Sequence, residues 1–420
     1  ALCIIGARQI GKTWLIREEI AKSGYRKFEV NFIHQPDLVD YLNVKMSANE
    51  FLVKLKMIMP EDCKPQETVV FFDEIQKCPE IVTKIKFLVE EGSFKYVMSG
   101  SLLGVELKGI TSVPVGYLTV LRMYPMDFEE FLWAVGDEIT SDTIKLLLKN
   151  KKSAGNAMHR NLMRMFRLYM LIGGMPQAVE AYLEHNNLQV VDEVKREIVD
   201  LYEEDFTKID GTGLAGDIYD AIPASLSGNA SRYVLSNARE GTRLEQVREL
   251  VPDILSSYTV NIAYHANNPG VGMALEKDAG RYKLFTSDVG LFITLAFKDK
   301  KYTENIIYNK LLSDKLEANL GYIYENVVAQ ILVARGNNLF YYTMESDTSN
   351  HLYEIDFLLS KGDKINPIEV KSGNYRGHKS LDVFCDKYSS RIRDKYVVHT
   401  KDYKWENGIH YLPVYMIPFL

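Results

Sequence analysis

At 420 residues the chain is longer than one hydrophobic core usually supports, so two to four domains are expected. Its 46% hydrophobic and 25% charged residues are those of an ordinary globular protein. A net charge of −6 excludes a surface that is basic all over and leaves room only for a local basic patch. The four cysteines, Cys3, Cys63, Cys78 and Cys385, have no metal-ligand spacing and read as reduced thiols of a cytoplasmic protein. No apolar run approaches a membrane span and no signal peptide is visible, so no membrane partner is expected.

The chain opens on the apolar run Leu2-Cys3-Ile4-Ile5, followed by Gly6, Ala7, Arg8, Gln9, Ile10, Gly11, Lys12 and Thr13. This G-x-x-x-x-G-K-T pattern is a phosphate-binding loop if a buried strand precedes it and a helix follows. Both are readable, since Leu15, Ile16 and Ile20 recur at helical spacing after Trp14. Glycines let backbone N–H groups face the β-phosphate, and the helix N-terminus adds partial positive charge. Lys12 can reach the β- and γ-phosphates and Thr13 can ligate Mg²⁺. The nucleotide site is therefore expected over Gly6 to Trp14.

Lys27 to Phe32 reads as a strand and residues 35–58 as mixed helix and loop. Thr68 to Phe72 is a continuous apolar run ending in Asp73-Glu74, as in a buried parallel strand with acids at its C-terminal edge. There Asp73 would complete the Mg²⁺ shell and Glu74 would orient or deprotonate the attacking water. The plainer reading is an acidic helix cap after a core strand. A helix over Pro79 to Glu91 and a strand over Phe94 to Met98 lead into Ser99-Gly100-Ser101, where a hydroxyl either contacts the γ-phosphate or belongs to a plain turn. Pro114 to Met123 reads as a further strand. Asp127 and Glu130 have the spacing of a capping box, and the domain is expected to end near residue 136.

Residues 137–205 read as helices suited to a lid, with Arg160, Arg164 and Arg167 on one face. Residues 206–300 show helical segments at Ala215 to Ile222, Ser225 to Leu235 and Gln246 to Tyr258, then short strands at Val260 to Tyr264 and Tyr282 to Phe285. A winged helix fits this order, although its second helix carries few basic residues. From 301 onward, a helix over Leu311 to Arg335 precedes alternating segments at Asn338 to Thr343, Glu354 to Ser360, Asn366 to Val370, Lys395 to His399 and Val414 to Ile417. Period two places Glu369 and Lys371 on one face of a strand, with Asp356 on the strand before. Such a set can hold Mg²⁺ and position water for phosphodiester cleavage, with Glu325 as a third carboxylate. Glu369 and Lys371 read equally well as an exposed ion pair.

With both ends read, the chain resembles the bacterial and archaeal family that joins an N-terminal AAA-type ATPase (the AAA_14 type) to a C-terminal DUF4143 region. The matching stretches are GARQIGKTWLI, VVFFDEIQKCPEI, KYVMSGSLLG, YPMDFEEFL, YMLIGGMPQAV, YKLFTSDVGL, IDFLLS and INPIEVKSG. The resemblance implies an α/β protein: a P-loop AAA-type parallel-sheet core (1–136), a helical lid (137–205), a winged-helix-like domain (206–300) and an α/β PD-(D/E)XK nuclease-like domain (301–420). It implies Lys12 and Thr13 for phosphate and metal, Asp73 and Glu74 for hydrolysis, and Ser101 as sensor. Glu325, Asp356, Glu369 and Lys371 map onto the helix carboxylate, the metal aspartate and the E-x-K pair. Tyr117 stands where relatives often carry an arginine, and Arg122 could substitute only from a different strand position. The expected activity is Mg²⁺-dependent ATP binding and hydrolysis, coupled to DNA through the C-terminal domain. The alternatives are an ATP-gated DNA nuclease and a non-cleaving switch that binds DNA or a protein partner, including further copies of the chain.

Overall fold

The computed structural model describes residues 1–101, 116–228, 231–299, 303, 305–313, 321–346 and 352–420. Parts of three expected elements (the start of Pro114 to Met123, residues 229–230 and residues 314–320) fall outside these, as do Leu102 to Gly104 of the KYVMSGSLLG stretch. The chain divides into two compact units, one of residues 1–124 with 252–258 and one of residues 125–251 with 259–420.

The first unit is built on parallel strands β1 (Leu2–Ile5), β2 (Arg26–Asn31), β3 (Thr68–Asp73), β4 (Lys95–Gly100) and β5 (Thr119–Arg122), in the order β2-β3-β4-β1-β5. β3 is buried along its whole length because both faces of the sheet are covered. Val70 and Phe72 pack with Phe51, Leu55, Ile81 and Ile85, from helices Ala48–Ile58 and Glu80–Glu91. Val69 and Phe71, on the other face, pack with Ile16 and Ile20 of helix Lys12–Ser23. The C-terminal ends of β1, β3 and β4 thus lie side by side at one sheet edge, where open parallel sheets bind ligands.

The second unit carries a sheet of β6 (Val260–Ala266), β7 (Lys277–Thr286), β8 (Leu339–Glu345), β9 (Leu352–Lys361), β10 (Lys364–Val370), β11 (Lys395–His399), β12 (Lys404–Glu406) and β13 (Ile409–Pro413). Its order is β12-β13-β11-β10-β9-β8-β6-β7. The strands assigned from sequence to a separate winged helix are therefore the end of this sheet: β6 pairs antiparallel with β7 and parallel with β8. Val414 to Ile417, expected as a strand, lies in a 3₁₀ helix over Val414–Phe419, and the strand is Ile409–Pro413. Pro413, the last paired residue of that strand, has no N–H to donate to a ladder, and pairing ends with it.

Helices Phe128–Ala134, Thr140–Lys149, Asn156–Ile172, Pro176–His185 and Leu188–Ile209 belong to this second unit rather than to the nucleotide sheet. Asp127 and Glu130 form the capping box read from sequence, with bonds of 3.0 and 2.9 Å. Phe128 packs edge-on to Phe166, at 4.9 Å between ring centroids. On Leu188–Ile209, fully buried Asp192 accepts from Tyr308 (2.5 Å), Arg196 (2.8 Å) and the Thr303 N–H (2.8 Å).

The turn Gly173-Gly174 is fixed by Asp288. Its buried carboxylate accepts the Gly174 N–H at 2.6 Å and the Leu291 N–H at 2.9 Å. A Cβ on Gly174 would lie 2.1 Å from the Met126 carbonyl oxygen, so only glycine permits this backbone approach. Gly174→Ala is expected to destabilise the second unit by about 3 kcal/mol, through overpacking that no side chain can relieve. Urea denaturation followed by near-UV circular dichroism checks this; an unchanged midpoint would refute the close approach.

Candidate functional site

The phosphate loop runs from the end of β1 into helix Lys12–Ser23. Gly6 has φ +151°, and a Cβ there would meet the Met123 carbonyl oxygen and Ile10 Cδ1 at 2.5 Å. Gly11 is left-handed at φ 91° and caps a helix whose first turn holds no acidic residue, so its positive end is not cancelled. Ala7 and Ile10 are buried, so their side chains serve the packing of the loop. Lys12 is buried and donates to the Gly6 and Ala7 carbonyls at 3.1 and 2.6 Å, which keeps its ammonium inside the loop. Trp14, by contrast, is 67% exposed on the first helical turn.

Across from the loop, Asp73 ends β3 at 2% exposure. Its carboxylate accepts from Thr13 Oγ1 (3.1 Å to each oxygen), from Asn31 Nδ2 (2.8 Å) and from Ser99 Oγ. Thr13 and Asp73 therefore offer adjacent hard oxygens, a donor set suited to Mg²⁺. Glu74 follows in the left-handed region (φ 58°, ψ 48°), so its side chain leaves the strand direction. Gln76 was not singled out by the sequence reading. Its Nε2 donates to Glu74 Oε2 at 2.5 Å and to Ser101 Oγ at 3.3 Å, joining the two residues expected to face the γ-phosphate. Tyr117 donates its hydroxyl to Glu90 at 2.6 Å. Arg122 pairs with Ile5 at the end of β5, beside the start of the loop, and its guanidinium lies 4.7 Å from the Tyr124 ring centroid.

In the second unit a cavity of about 550 Å³ is lined by Lys283, Glu325, Glu354, Asp356, Glu369 and Lys371, among others. One step beyond the pair Ile368–Phe357, the antiparallel register carries Glu369 to the level of Asp356. The Val370 N–H donates to Asp356 Oδ2 at 2.6 Å, which fixes that carboxylate between β9 and β10. Lys371 pairs with Glu369 at 2.6 Å. Glu325, on helix Gly321–Ala334, joins Glu354 and Asp356 in a cluster whose ligand oxygens lie within 4.8 Å of one another. The four residues expected at this site thus line one cavity, and two that were not singled out join them. Glu354 shares a face with Asp356 at strand period two, a signal present in the sequence. Lys283 reads there only as part of a core strand.

The electrostatics of the cavity are those of crowded charge. Burial, reinforced by Glu325, pushes Asp356 well above the usual carboxylate range, and burial also raises Glu354 and Glu369. Burial works to lower Lys283, but Glu325, Glu354 and Asp356 outweigh it and the ammonium is held above its ordinary value. Lys371 is raised as well, with Glu369 outweighing burial.

Three family profiles match the chain: an AAA domain over residues 1–132, a domain of unknown function (DUF8612) over 163–302, and a domain of unknown function (DUF4143) over 320–417. No curated protein matches. Among solved structures, the chain is similar to Cdc6p from Pyrobaculum aerophilum at 13% identity, covering 75% of this chain and 88% of that one with a TM-score of 0.26. AMPPCP-bound DnaA from Aquifex aeolicus matches at 13% identity over 75% and 87%, with a TM-score of 0.30. The RuvB Holliday junction branch migration motor of Thermotoga maritima matches at 13% over 62% and 80%, with a TM-score of 0.26. At such scores these likenesses carry no argument about this chain. Among the described residues no helix is long and apolar enough to cross a membrane.

The link between Glu74, Gln76 and Ser101 has a direct test. Gln76→Ala is expected to lower the ATP turnover rate on the order of tenfold to a hundredfold by loosening both partners. Nucleotide affinity should stay near wild type. Turnover assays paired with fluorescent-nucleotide titration check this, and a pure loss of affinity would contradict the positioning role.

Proposed function

We propose that the chain, which carries an AAA domain and a DUF4143 domain, is an AAA-type ATPase whose own residues carry out Mg²⁺-dependent ATP hydrolysis. The reading rests above all on Thr13 and Asp73, whose oxygens meet at the carboxyl edge of the sheet, and on the Lys12 ammonium that the loop carbonyls hold. The N–H groups of the loop and the start of helix Lys12–Ser23 receive the phosphate oxygens, and Lys12 turns from the loop carbonyls to the β- and γ-phosphates. Thr13 and Asp73 would hold Mg²⁺, which supplies charge neutralisation of the phosphates. Glu74 accepts the proton of the attacking water as its oxygen bonds to the γ-phosphorus and the bond to the β–γ bridging oxygen breaks, giving ADP and phosphate. Gln76 holds the Glu74 carboxylate and the Ser101 hydroxyl in register for that step.

A second reading is supported by the C-terminal cavity. Asp356 and Glu369 face each other on adjacent strands, Lys371 stands beside them, and Glu325 approaches from a helix, as a PD-(D/E)XK nuclease-like site requires. Glu369 Oε2 is buried without a hydrogen-bond partner among the described residues, so this set fits a divalent cation of the Mg²⁺ or Mn²⁺ kind. In this role Asp356 and Glu369 hold the ion and Lys371 orients water toward a phosphodiester. ATP hydrolysis in the first unit would then gate DNA cleavage; with no cleavage, the same cavity serves a nucleotide-dependent switch that binds DNA or a protein.

Glu74→Gln should lower turnover a hundredfold or more while ATP binding persists, as expected on loss of a general base. Full turnover in that variant would end the assignment. For the second reading, supercoiled, duplex, single-stranded and branched DNA are incubated with Mg²⁺ or Mn²⁺, with and without ATP. Cleavage that disappears in Asp356→Asn and in Lys371→Ala supports the nuclease; intact DNA in every condition leaves the switch.

A further inference from the structure

Lys283 is the least expected member of the C-terminal cavity. It lies on β7, separated from β9 by β6 and β8 in the order of the sheet, yet its Nζ is 2.5 Å from Glu354 Oε1 on β9. The same Nζ is 2.9 Å from Glu325 Oε1, and the residue is 5% exposed. Three carboxylates whose oxygens lie within 4.8 Å repel one another unless a cation stands between them. Here the ammonium is that cation. It engages one oxygen of Glu325 and one of Glu354, the lone pairs that a divalent ion at this point would need at about 2.0–2.6 Å. Ammonium and metal ion cannot both sit there, because they would share ligands and repel.

The opposite flank differs. Glu369 spends Oε1 on Lys371 and its carboxylate also feels the Leu381 N–H, while its buried Oε2 makes no hydrogen bond of normal geometry among the described residues. Asp356 lies level with it across the β9–β10 pair.

We propose that the Lys283 ammonium stands in for a divalent cation among Glu325, Glu354 and Asp356, and so restricts the cavity to a single metal ion on the Asp356–Glu369 flank. This rests on the reading of the cavity as a divalent-cation site. It makes a two-ion mechanism at phosphodiesters unavailable to the native chain and leaves Lys283 to neutralise charge on the side where a second ion would act.

The test counts Mn²⁺ by electron paramagnetic resonance on the full chain, without nucleotide and with Asp73→Asn in every sample to remove the phosphate-loop carboxylate. With Lys283 present one Mn²⁺ per chain is expected, and with Lys283→Met two. Should Lys283→Met fail to fold, by circular dichroism, Lys283→Gln removes the charge and keeps a hydrogen-bond donor. Two ions with Lys283 present, or no additional ion in either folded variant, overturn the proposal. No ion with Lys283 but one without it upholds the stand-in and defeats the metal-site reading for the native chain. No ion in any sample defeats both.

Discussion

A carboxylate taken out of water loses several kcal/mol of solvation unless hydrogen bonds or a cation replace it. The arrangement of this protein follows from three places where that constraint is met in different ways. Asp73 is surrounded by polar side chains from the phosphate loop, β2 and β4. Asp288 is met by backbone N–H groups of Gly174 and Leu291. Glu325 and Glu354 are met by a buried ammonium. The first and third leave charge within reach of a ligand, whereas the second is closed upon itself.

That difference separates motifs that serve packing from motifs that serve chemistry. The stretches around Gly173-Gly174 and Asp288 look like signatures of a site, but every polar group named there is spent on the fold. A Cβ on Gly173 would lie 2.3 Å from Asp288 Oδ1, and one on Gly290 would lie 2.4 Å from the Ile172 carbonyl oxygen. The small residues and the acid are thus one joint, which fixes helices Asn156–Ile172 and Val289–Ala296 against each other. Asp192 extends the same logic to Arg196, Tyr308 and Thr303. This polar interior explains why the helices of residues 125–209 share a unit with the eight-stranded sheet.

The candidate sites share a different design. Each has a carboxylate at or near a strand end and a buried lysine whose ammonium the protein itself holds. At the phosphate loop, Lys12 rests on carbonyl oxygens, which in the proposed function phosphate oxygens would replace without leaving a charge unpaired. In the C-terminal cavity, Lys283 rests on carboxylates, a stronger embrace in a buried setting. A lysine on carbonyls is ready to serve a polyanion, and a lysine on carboxylates is a fixed part of the site.

The sequence alone determined what is local in the chain. A glycine-framed loop between an apolar run and a helical repeat, acids closing the run that ends at Phe72, and Glu369 with Lys371 at period two need only spacing to be read, because strand and helix geometry are set within a few residues. The tertiary structure decided everything that depends on which segments meet. β6 and β7 fit the order of a wing in the sequence, since no local pattern names the strand that will accept their hydrogen bonds; β8 placed them in the larger sheet. Gln76 lies two residues from Glu74 in sequence, but its bond to Ser101 spans 25 positions and exists only once β3 and β4 are paired. Lys283 is the clearest case: an ordinary lysine in the buried half of a strand became the counter-charge of Glu325 and Glu354 because folding brought β7, β9 and helix Gly321–Ala334 around one cavity, where a buried charge must find its opposite.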